Sequence, residues 1–600
     1  MLPGFKLSNI FRTRKKYKIR LVNTLLLYLC VAEFITLIFD IGFNRDPANR
    51  SLFVWLYEGG LVVILLLNLF KALLTIQSTV NARLRYTEYF IIGLVGGIFF
   101  FRLFATDAEG HPLQWLLDIS TLHFAIAIVA LIELSRSSLR LEKLQLNPAL
   151  LFVLSFGFLI LIGTTLLLLP KATTGGISLI DAFFTITSAV CVTGLTVVDT
   201  STAFTLFGQT VILVFIQLGG LGIMTFTSFF GYLIASGSSF QNQLILKNLV
   251  NEEQLGAVFK TILKIVYITL GVELVGAVLI FSTLDELRFA SLNDRIFFAI
   301  FHAVSAFCNA GFSTFSAGLF DEALRFNYNF QLIICGLVIF GGLGFPIVFN
   351  YYRLIRRFLM HKTREIIYKE PFPHAPRVIN LNTKIVVFTT LILLIAGAVG
   401  FYFLEKDNTL QEHNTYGQIV TAFFGSVTPR TAGFNTIDMM ALTFPAIMLT
   451  FFLMWVGASP ASTGGGIKTT TLAVATLNIF SIVRGKQRVE LSKREISNES
   501  VKQAFAVISL SLIIVGFAVF ALSFTDSEKG LMRLAFEAFS AFGTVGLTLG
   551  VTPELSFVGK LIIIVTMFVG RVGLFTLLKG ILPDRGYQSY KYPTESVIIT

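Results

Sequence analysis

Thr544-Val545-Gly546-Leu547 decides the fold of this chain, because three weaker copies of it lie upstream at nearly regular spacing. The copies are Val192-Thr193-Gly194-Leu195, Asn309-Ala310-Gly311-Phe312 and Thr431-Ala432-Gly433-Phe434. The glycines at 194, 311, 433 and 546 are separated by 117, 122 and 113 residues, a period far longer than that of helical solenoids. Each motif lies in a short apolar hairpin that begins with a serine, and the third hairpin has one extra residue. The pattern predicts four large units around one membrane pore.

The composition places the chain in a membrane. Of its 600 residues, 54% are hydrophobic and 14% are charged, whereas ordinary soluble domains are about 25% charged. Apolar segments run from end to end, and a water-soluble globule could not bury them all. The formal net charge of +12 comes from Lys and Arg in the short loops between these segments, which indicates orientation in lipid and not binding of nucleic acid. We therefore predict an all-α, multi-pass membrane protein.

Residues 1–145 are predicted to form a separate module of four spans, because they contain four apolar stretches of about membrane-crossing length. The stretches lie near 21–42, 52–75, 88–105 and 113–134. A four-span module ahead of a pore suggests a voltage sensor, whose arginines lie inside the membrane field. Here Arg136, Arg140 and Lys143 follow the fourth stretch. Their position favours an ordinary anchor with its positive charge on the cytoplasmic side.

From residue 146 a second pattern occurs four times: outer span, short apolar segment, glycine motif, inner span. The predicted repeats are 146–255, 256–375, 376–495 and 496–600, with short segments at 180–192, 296–308, 417–428 and 533–543 and inner spans at 207–235, 330–352, 442–483 and 557–582. The short segments cover about half a membrane crossing and are candidates for re-entrant helices, which require a return buried in protein or water. Twelve full spans then place both termini in the cytoplasm, in agreement with the basic N-terminal lead.

The motif chemistry predicts a selectivity filter for a monovalent cation. A cation that sheds its water needs several oxygen ligands at one point, and inward-pointing backbone carbonyls require dihedral angles that favour glycine. No Asp or Glu lies within four residues of the four glycines, which argues against a ring of carboxylates. We predict that the cation bound at the filter is the only metal, and we predict no covalent cofactor.

Each inner span also has its own glycine cluster, beginning at Gly219, Gly341, Gly457 and Gly570. In the first two, close helix packing is the favoured explanation. The third opens into the small, polar stretch 457–468, whose proline and three consecutive glycines break a helix and should face the conduction path.

An arginine inside a span is costly and by default functional, and Arg571 lies in the fourth inner span at the matching depth. Its expected acceptors are the carbonyls freed by the broken third span. A buried carboxylate such as Glu537 or Glu273 is the alternative.

The four motifs, the broken third span and the arginine in VGRVG resemble the Trk/Ktr/HKT superfamily, and over about 147–600 the chain is most similar to Ktr-type membrane subunits. The resemblance extends to Tyr592-Pro593 and Val597-Ile598-Ile599 at the C-terminus. It implies potassium uptake across the plasma membrane, the bacterial inner membrane, through one pore lined by filter carbonyls. It also implies an intramembrane gate, with Arg571 in the barrier below the filter. The implied gate residues are Gly457, Ser459, Pro460, Ser462, Thr463, Gly464, Gly465, Gly466, Lys468 and Arg571.

In this superfamily a serine at the first filter glycine accompanies sodium preference, so Gly194 implies potassium. The resemblance further implies a homodimer, a separate cytosolic ring of nucleotide-binding regulatory domains, and sodium as an activator or coupled ion. The four N-terminal spans lie outside the family's minimal pattern. The alternative is a sodium-permeable or mixed sodium and potassium channel of the same architecture.

A membrane enzyme would need a polar catalytic cluster at one depth, and we predict none. The six histidines are scattered, at His111, His123, His302, His361, His374 and His413. His302 is expected to be structural. Cys191 and Cys308, each three residues before a filter glycine, are expected to pack tightly behind the filter.

Overall fold

The structure is a computed structural model and describes residues 7–43, 50–75, 82–104, 119–137, 148–222, 258–284, 289–322, 324–368, 379–573, 575 and 577–578. Almost all regular structure in these ranges is helical, which confirms the predicted fold class. The one sheet among them is a small antiparallel hairpin of β1 (Glu490–Leu491) and β2 (Arg494–Glu495). Five of the described helices are long and apolar enough to cross a membrane, or six if one bent pair is counted as a span.

The N-terminal module is a bundle of α1 (Leu7–Phe43), α2 (Arg50–Thr75), α3 (Ala82–Phe104) and α4 (Ile119–Ser137). It has its own apolar core and a polar interior in which the Tyr57 hydroxyl donates to Asp40 Oδ2 at 2.9 Å and His123 Nε2 lies 3.0 Å from the same oxygen. The bundle joins the first repeat where Lys171 N donates to Gly42 O at 3.1 Å. Arg140 and Lys143 lie outside the described residues.

The four repeats follow in chain order. The first contains α5 (Pro148–Leu167), α6 (Leu179–Val190), the single turn Thr200–Ala203 and α7 (Leu206–Gly220). The second contains α8 (Val258–Thr283), α9 (Leu292–Cys308), the 3₁₀ turn Gly318–Phe320, α10 (Tyr328–Leu343) and α11 (Phe345–Tyr368). The third contains α12 (Leu381–Glu405), α13 (Thr415–Val427), the 3₁₀ turn Met439–Ala441, α14 (Phe444–Trp455) and α15 (Thr469–Val483). The fourth contains α16 (Asn498–Thr525), the 3₁₀ turn Ser527–Lys529, α17 (Leu531–Gly543), the 3₁₀ turn Thr552–Glu554 and α18 (Phe557–Val572).

The repeats close into a ring through their helices. The inner helix of each repeat packs on the short helix of the next: α7 on α9, α10 on α13, α14 on α17, and α18 back on α6. Side chains fix where three of the short helices begin, since Ser178, Ser291 and Asn414 accept hydrogen bonds from the backbone N–H groups three residues ahead. The predicted arrangement of four units around one centre is confirmed.

The predicted inner spans were too continuous. The structure breaks the second span at Gly344, whose φ of 84° ends α10, and α11 then leaves at a bend of 100°. The third is two helices separated by 456–468, as its proline and glycines indicated. The fourth is interrupted at Gly573, whose φ of 80° follows the last residue of α18, and the described residues 575 and 577–578 beyond it are helical. Residues 223–235 of the first span, 579–582 of the fourth and the C-terminal motifs at 592–599 lie outside the described residues.

Candidate functional site

The four glycine motifs share one unusual backbone conformation. Their glycines have φ of 92°, 68°, 75° and 94°, in the left-handed region that side chains disfavour. The residue two positions earlier in each motif is also left-handed, although it is not glycine. These residues are Val192, Asn309, Thr431 and Thr544, with φ of 56°, 62°, 77° and 49°. Such strain costs about 1–2 kcal/mol per residue and clusters at functional sites.

The four strands meet at their glycines. A Cβ added to Gly194 would collide with the carbonyl oxygen of Ala310, which precedes the next glycine. The same relation continues around the ring. It joins Gly311 to Ala432 O, Gly433 to Val545 O, and Gly546 back to Thr193 O. Only glycine permits these contacts, and each junction of the ring has one carbonyl, contributed by the neighbouring strand.

A hydroxyl at the end of each short helix braces its strand. In the first and fourth repeats, Ser188 and Ser540 accept hydrogen bonds from the filter glycine N–H groups at 3.0 and 3.1 Å. In the second, Ser305 donates to Phe312 O at 2.9 Å. In the third, Thr428 donates to Phe434 O at 2.5 Å. Ser426, the serine that begins the third hairpin, instead donates to Leu394 O at 2.8 Å. The extra residue in this hairpin moves Ser426 away from the filter strand, and Thr428 bonds to the strand in its place.

The electrostatics at the ring favour cations. The short helices α6, α9, α13 and α17 all end at the ring, and each helix C-terminus has a partial charge of about −0.5. The nearby buried carboxylate of Glu537 accepts from the hydroxyls of Thr548 and Thr552, the latter at 2.9 Å. The fixed backbone dipoles of the four helix ends therefore contribute negative potential at the ring.

The break in the third inner span lies directly against the filter strands. Cβ atoms added to Gly464 and Gly465 would collide with the hydroxyls of Thr431 and Thr544. Gly465 N also donates to Thr544 Oγ1 at 3.1 Å. The flanks of the break are held together, since Val456 and Ile467 form a parallel β-bridge. We call residues 456–468 the intramembrane loop.

The intramembrane loop is docked on the break of the second inner span. Ser459 N donates to Gly342 O at 3.0 Å, and Thr463 N donates to Gly341 O at 3.3 Å. In the other direction, Phe345 N at the start of α11 donates to Ala461 O at 3.1 Å. Two helix breaks therefore satisfy each other's freed backbone groups.

Arg571 joins this loop to the first repeat. Its Nη1 donates to Thr463 O and its Nη2 to Gly219 O, the latter at 2.5 Å. The two carboxylates considered as alternatives have other partners: Glu537 binds threonines, and Glu273 accepts from Gln217 Nε2 at 3.1 Å. Both acceptors of the guanidinium are therefore carbonyls: Thr463 O belongs to the broken third span, as expected, whereas Gly219 O belongs to the first inner span.

The remaining loop residues hold the turn itself. Lys468 Nζ donates to Gly464 O at 2.7 Å and closes the glycine turn. Ser462 Oγ donates to Ser459 O at 2.6 Å, and Pro460 O lies 2.6 Å from where a Cβ on Gly344 would be. The left-handed φ of 65° at Gly466 permits the return toward α15.

Arg430 is a residue that sequence reasoning missed. It is buried in the third hairpin, and its Nη2 donates to Gly457 O at 3.4 Å, linking the hairpin to the intramembrane loop. The signal was available, because Arg430 is the one charged residue within four positions of any filter glycine.

The other glycine clusters serve close packing. Cβ atoms added to Gly219, Gly341 and Gly570 would collide with carbonyl oxygens at the ends of short helices. These oxygens belong to Val190, Phe307 and Phe542, each four residues before a filter glycine. The packing explanation favoured for the first two clusters fits this geometry.

His302 and the cysteines have structural environments. His302 is buried, with Nδ1 2.9 Å from Phe298 O and Nε2 3.0 Å from Ser313 Oγ. Cys191 and Cys308 are free thiols buried behind the filter. Within the described ranges, no cluster of His, Cys, Asp and Glu could hold a metal ion.

Comparison with known proteins identifies relatives across most of the chain. The family model of TrkH, described as a cation transport protein, matches residues 120–582. A potassium/sodium uptake protein, NtpJ, from Enterococcus hirae is 36% identical over 76% of this chain and 98% of its own length. The Ktr system potassium uptake protein B of Bacillus subtilis is 37% identical over 73% of this chain and 94% of its own length.

A solved structure has the same fold. The crystal structure of the potassium transporter TrkH from Vibrio parahaemolyticus aligns with a TM-score of 0.56 at 20% identity, over 82% of this chain and 96% of that one. The family match begins within α4, earlier than the expected start near 147. Helices α1 to α3 lie outside the matched residues.

Proposed function

Because this chain belongs to the TrkH family of cation transport proteins, we propose that it takes up potassium ions through the ring of four glycine motifs. The observation that carries the proposal is the closure of the four strands on each other, with a carbonyl oxygen at each junction. The names of the relatives at 36% and 37% identity support potassium as the transported ion.

In the proposed mechanism, the filter replaces the water around the ion. Carbonyls of the four motifs act as ligands, and the four helix ends favour a positive charge at the centre. The hydroxyls of Ser188, Ser305, Thr428 and Ser540 hold the strands at the spacing that the ion requires. The negative interior of the cell drives entry.

The intramembrane loop is the proposed gate. It lies against two filter strands and is held by Arg571, by Lys468 and by the break of the second inner span. Opening requires the bonds of Arg571 and of the second inner span to break together, because they tie the loop to different elements, whereas the Lys468 bond holds the turn within the loop. The Arg571 charge adds an electrostatic barrier to a cation that passes this level.

The proposed assembly is supported by the same family membership. We propose a homodimer in the plasma membrane with both termini in the cytoplasm, and a separate cytosolic ring of nucleotide-binding regulatory domains. The proposed domain boundaries are 1–145 for the N-terminal module and 146–255, 256–375, 376–495 and 496–600 for the repeats. Sodium is the candidate activator or coupled ion.

A second candidate is transport of both sodium and potassium through the same filter, which the name of the Enterococcus hirae relative favours. Gly194 is the position that distinguishes the two. Glycine there leaves the first strand free of a side chain at its junction with Ala310 O. We expect potassium to be preferred.

The test is rubidium and sodium uptake by purified protein in liposomes, with and without external sodium. Gly194→Ser should lower the preference for rubidium over sodium at least tenfold, because the added Cβ displaces a carbonyl of the neighbouring strand. Gly176→Ser is the matched control: Gly176 has a φ of 87° but nothing within 4 Å of its Cβ position. Equal permeability ratios in both variants would contradict the filter assignment.

A further inference from the structure

Helix α11, which follows the break of the second inner span, exposes an apolar face. Between residues 351 and 358, each side chain except that of Leu354 is exposed. Tyr352, Ile355 and Phe358 recur every third residue on one side and are 57%, 55% and 64% exposed. A stripe of large apolar side chains on a helix marks a surface that something covers.

The opposite face of α11 is basic. Arg353, Arg356 and Arg357 fall within about 100° of each other around the helix axis at 3.6 residues per turn, and all three are exposed. One helix thus has an apolar side and an arginine side, which is typical of helices that lie in the lipid interface. A protein groove would match the apolar side alone.

The direction of α11 agrees with this location. The axis of α11 is bent by 100° from that of α10. Because α10 is a membrane-spanning helix, this bend directs α11 along the membrane surface. Asn350 Nδ2 donates to Thr383 Oγ1 at 2.7 Å. Thr383 lies in the first turn of α12, where that span enters the bilayer. The first turns of α11 are therefore fixed at the level of the headgroups.

We propose that α11 is an interfacial helix that binds anionic phospholipids, with its apolar face among the acyl chains and its arginines on the headgroup phosphates. Arginine matches phosphate well, because its planar guanidinium offers paired N–H donors. Each basic residue near an anionic surface adds about 1 kcal/mol, or about fivefold in affinity. Three of them predict a preference for anionic lipid of about a hundredfold.

This helix is also positioned to act on the intramembrane loop. Its first residue, Phe345, donates its N–H to Ala461 O at 3.1 Å, and Gly342 O just before the break accepts from Ser459 N at 3.0 Å. A lipid-dependent shift of α11 would therefore move the loop. This step rests on the proposed function, whereas lipid binding does not.

The first experiment places a probe on each face of α11 in the full-length protein. The four cysteines of the chain are buried, so fluorophores can be attached at Ile355→Cys on the apolar face and Met360→Cys on the basic face. In nanodiscs, lipids brominated on the acyl chains should quench the label at 355 and spare the label at 360. Equal quenching at both sites, or shielding of 355 from both bromolipid and aqueous iodide, would overturn the proposal; the shielding would indicate a protein partner.

The second experiment measures retention of phosphatidylglycerol over phosphatidylcholine by the purified full-length protein. Replacing Arg353, Arg356 and Arg357 together by Gln should reduce the preference by about a hundredfold. The control removes three charges from exposed residues around the β1–β2 hairpin: Lys486→Gln, Arg488→Gln and Lys493→Gln. It should retain the wild-type preference. An unchanged preference in the α11 variant, or an equal loss in the control, would overturn the proposal. Both experiments are independent of transport, so a failure of the proposed potassium uptake leaves their outcome interpretable.

Discussion

Removing the positive charge of Arg571 is expected to open the proposed gate. The guanidinium donates to Thr463 O in the intramembrane loop and to Gly219 O in the first repeat. Hydrogen bonds from a charged donor contribute about 1.5–3 kcal/mol each, so Arg571→Gln should weaken the closed arrangement by at least about 3 kcal/mol. At 1.4 kcal/mol per factor of ten, the ratio of closed to open gates falls about a hundredfold.

The assay is rubidium uptake into liposomes, normalised to the amount of folded protein. We expect Arg571→Gln to raise the rate at least tenfold, until the gate is open most of the time. Arg571→Lys separates the two roles of the residue, because lysine keeps the charge but cannot hold two carbonyls in a fixed fork. A rise in both variants indicates a tether, and a rise in the Gln variant alone indicates an electrostatic barrier.

Arg295 provides the matched control. It is 8% exposed, as Arg571 is, and its Nη2 also donates to two carbonyls, Phe281 O at 3.0 Å and Leu284 O at 2.7 Å. It lies at the start of α9, away from the loop. Arg295→Gln should lower thermal stability without raising uptake. If Arg571→Gln folds and transports at the wild-type rate, the gate role of Arg571 is wrong.

Two further predictions concern the filter and its packing. Thr428→Val should lower the rubidium-to-sodium permeability ratio severalfold, because it removes the hydrogen bond to Phe434 O. Thr428→Ser keeps the hydroxyl and should preserve the ratio. A wild-type ratio in the Val variant would show that this hydrogen bond is dispensable for selectivity. Gly341→Ala should lower the melting temperature in detergent, since its Cβ would collide with Phe307 O, and should destabilise by about 1–3 kcal/mol. Gly336→Ala on the same helix has nothing within 4 Å and should be tolerated, so equal melting temperatures would argue against the packing role.

The architecture was accessible from the sequence because it is repeated. Four glycines at a long, regular period each require the same left-handed backbone, and each follows a segment too short to span the membrane. The break in the third inner span was equally accessible, since Pro460 and three consecutive glycines cannot continue a helix. Backbone chemistry carried both predictions.

The break at Gly344 was harder to see. The cluster Gly341-Gly342-Leu343-Gly344 resembles the one at Gly219, and glycine in an apolar span commonly serves close packing. The distinguishing signal lies just beyond it: Pro346 in the first turn of α11 has no N–H to offer to the preceding helix. A glycine followed two residues later by a proline marks the end of one helix and the start of another.

The hydrogen-bond partners of the site's side chains could not be predicted, because they depend on how the hairpins and helices align in space. Ser426 lies seven residues before Gly433, whereas the other three hairpin serines lie six before their glycines. The single inserted residue moves the hydroxyl off the filter strand and passes its role to Thr428. For Arg571, the sequence left two kinds of acceptor open, backbone carbonyls and a buried carboxylate. Only the three-dimensional structure shows that the guanidinium contacts carbonyls.

The braces of the filter differ between its quarters: in two repeats the hydroxyl holds a glycine N–H, and in the other two it holds a carbonyl. In a channel assembled from four identical subunits, every substitution alters all four quarters of the filter. A change that one quarter could tolerate can then abolish ion binding. A ring encoded in one chain escapes this constraint. Each quarter can mutate alone, so selection can specialise one sector for gating while the others conserve the ion's coordination.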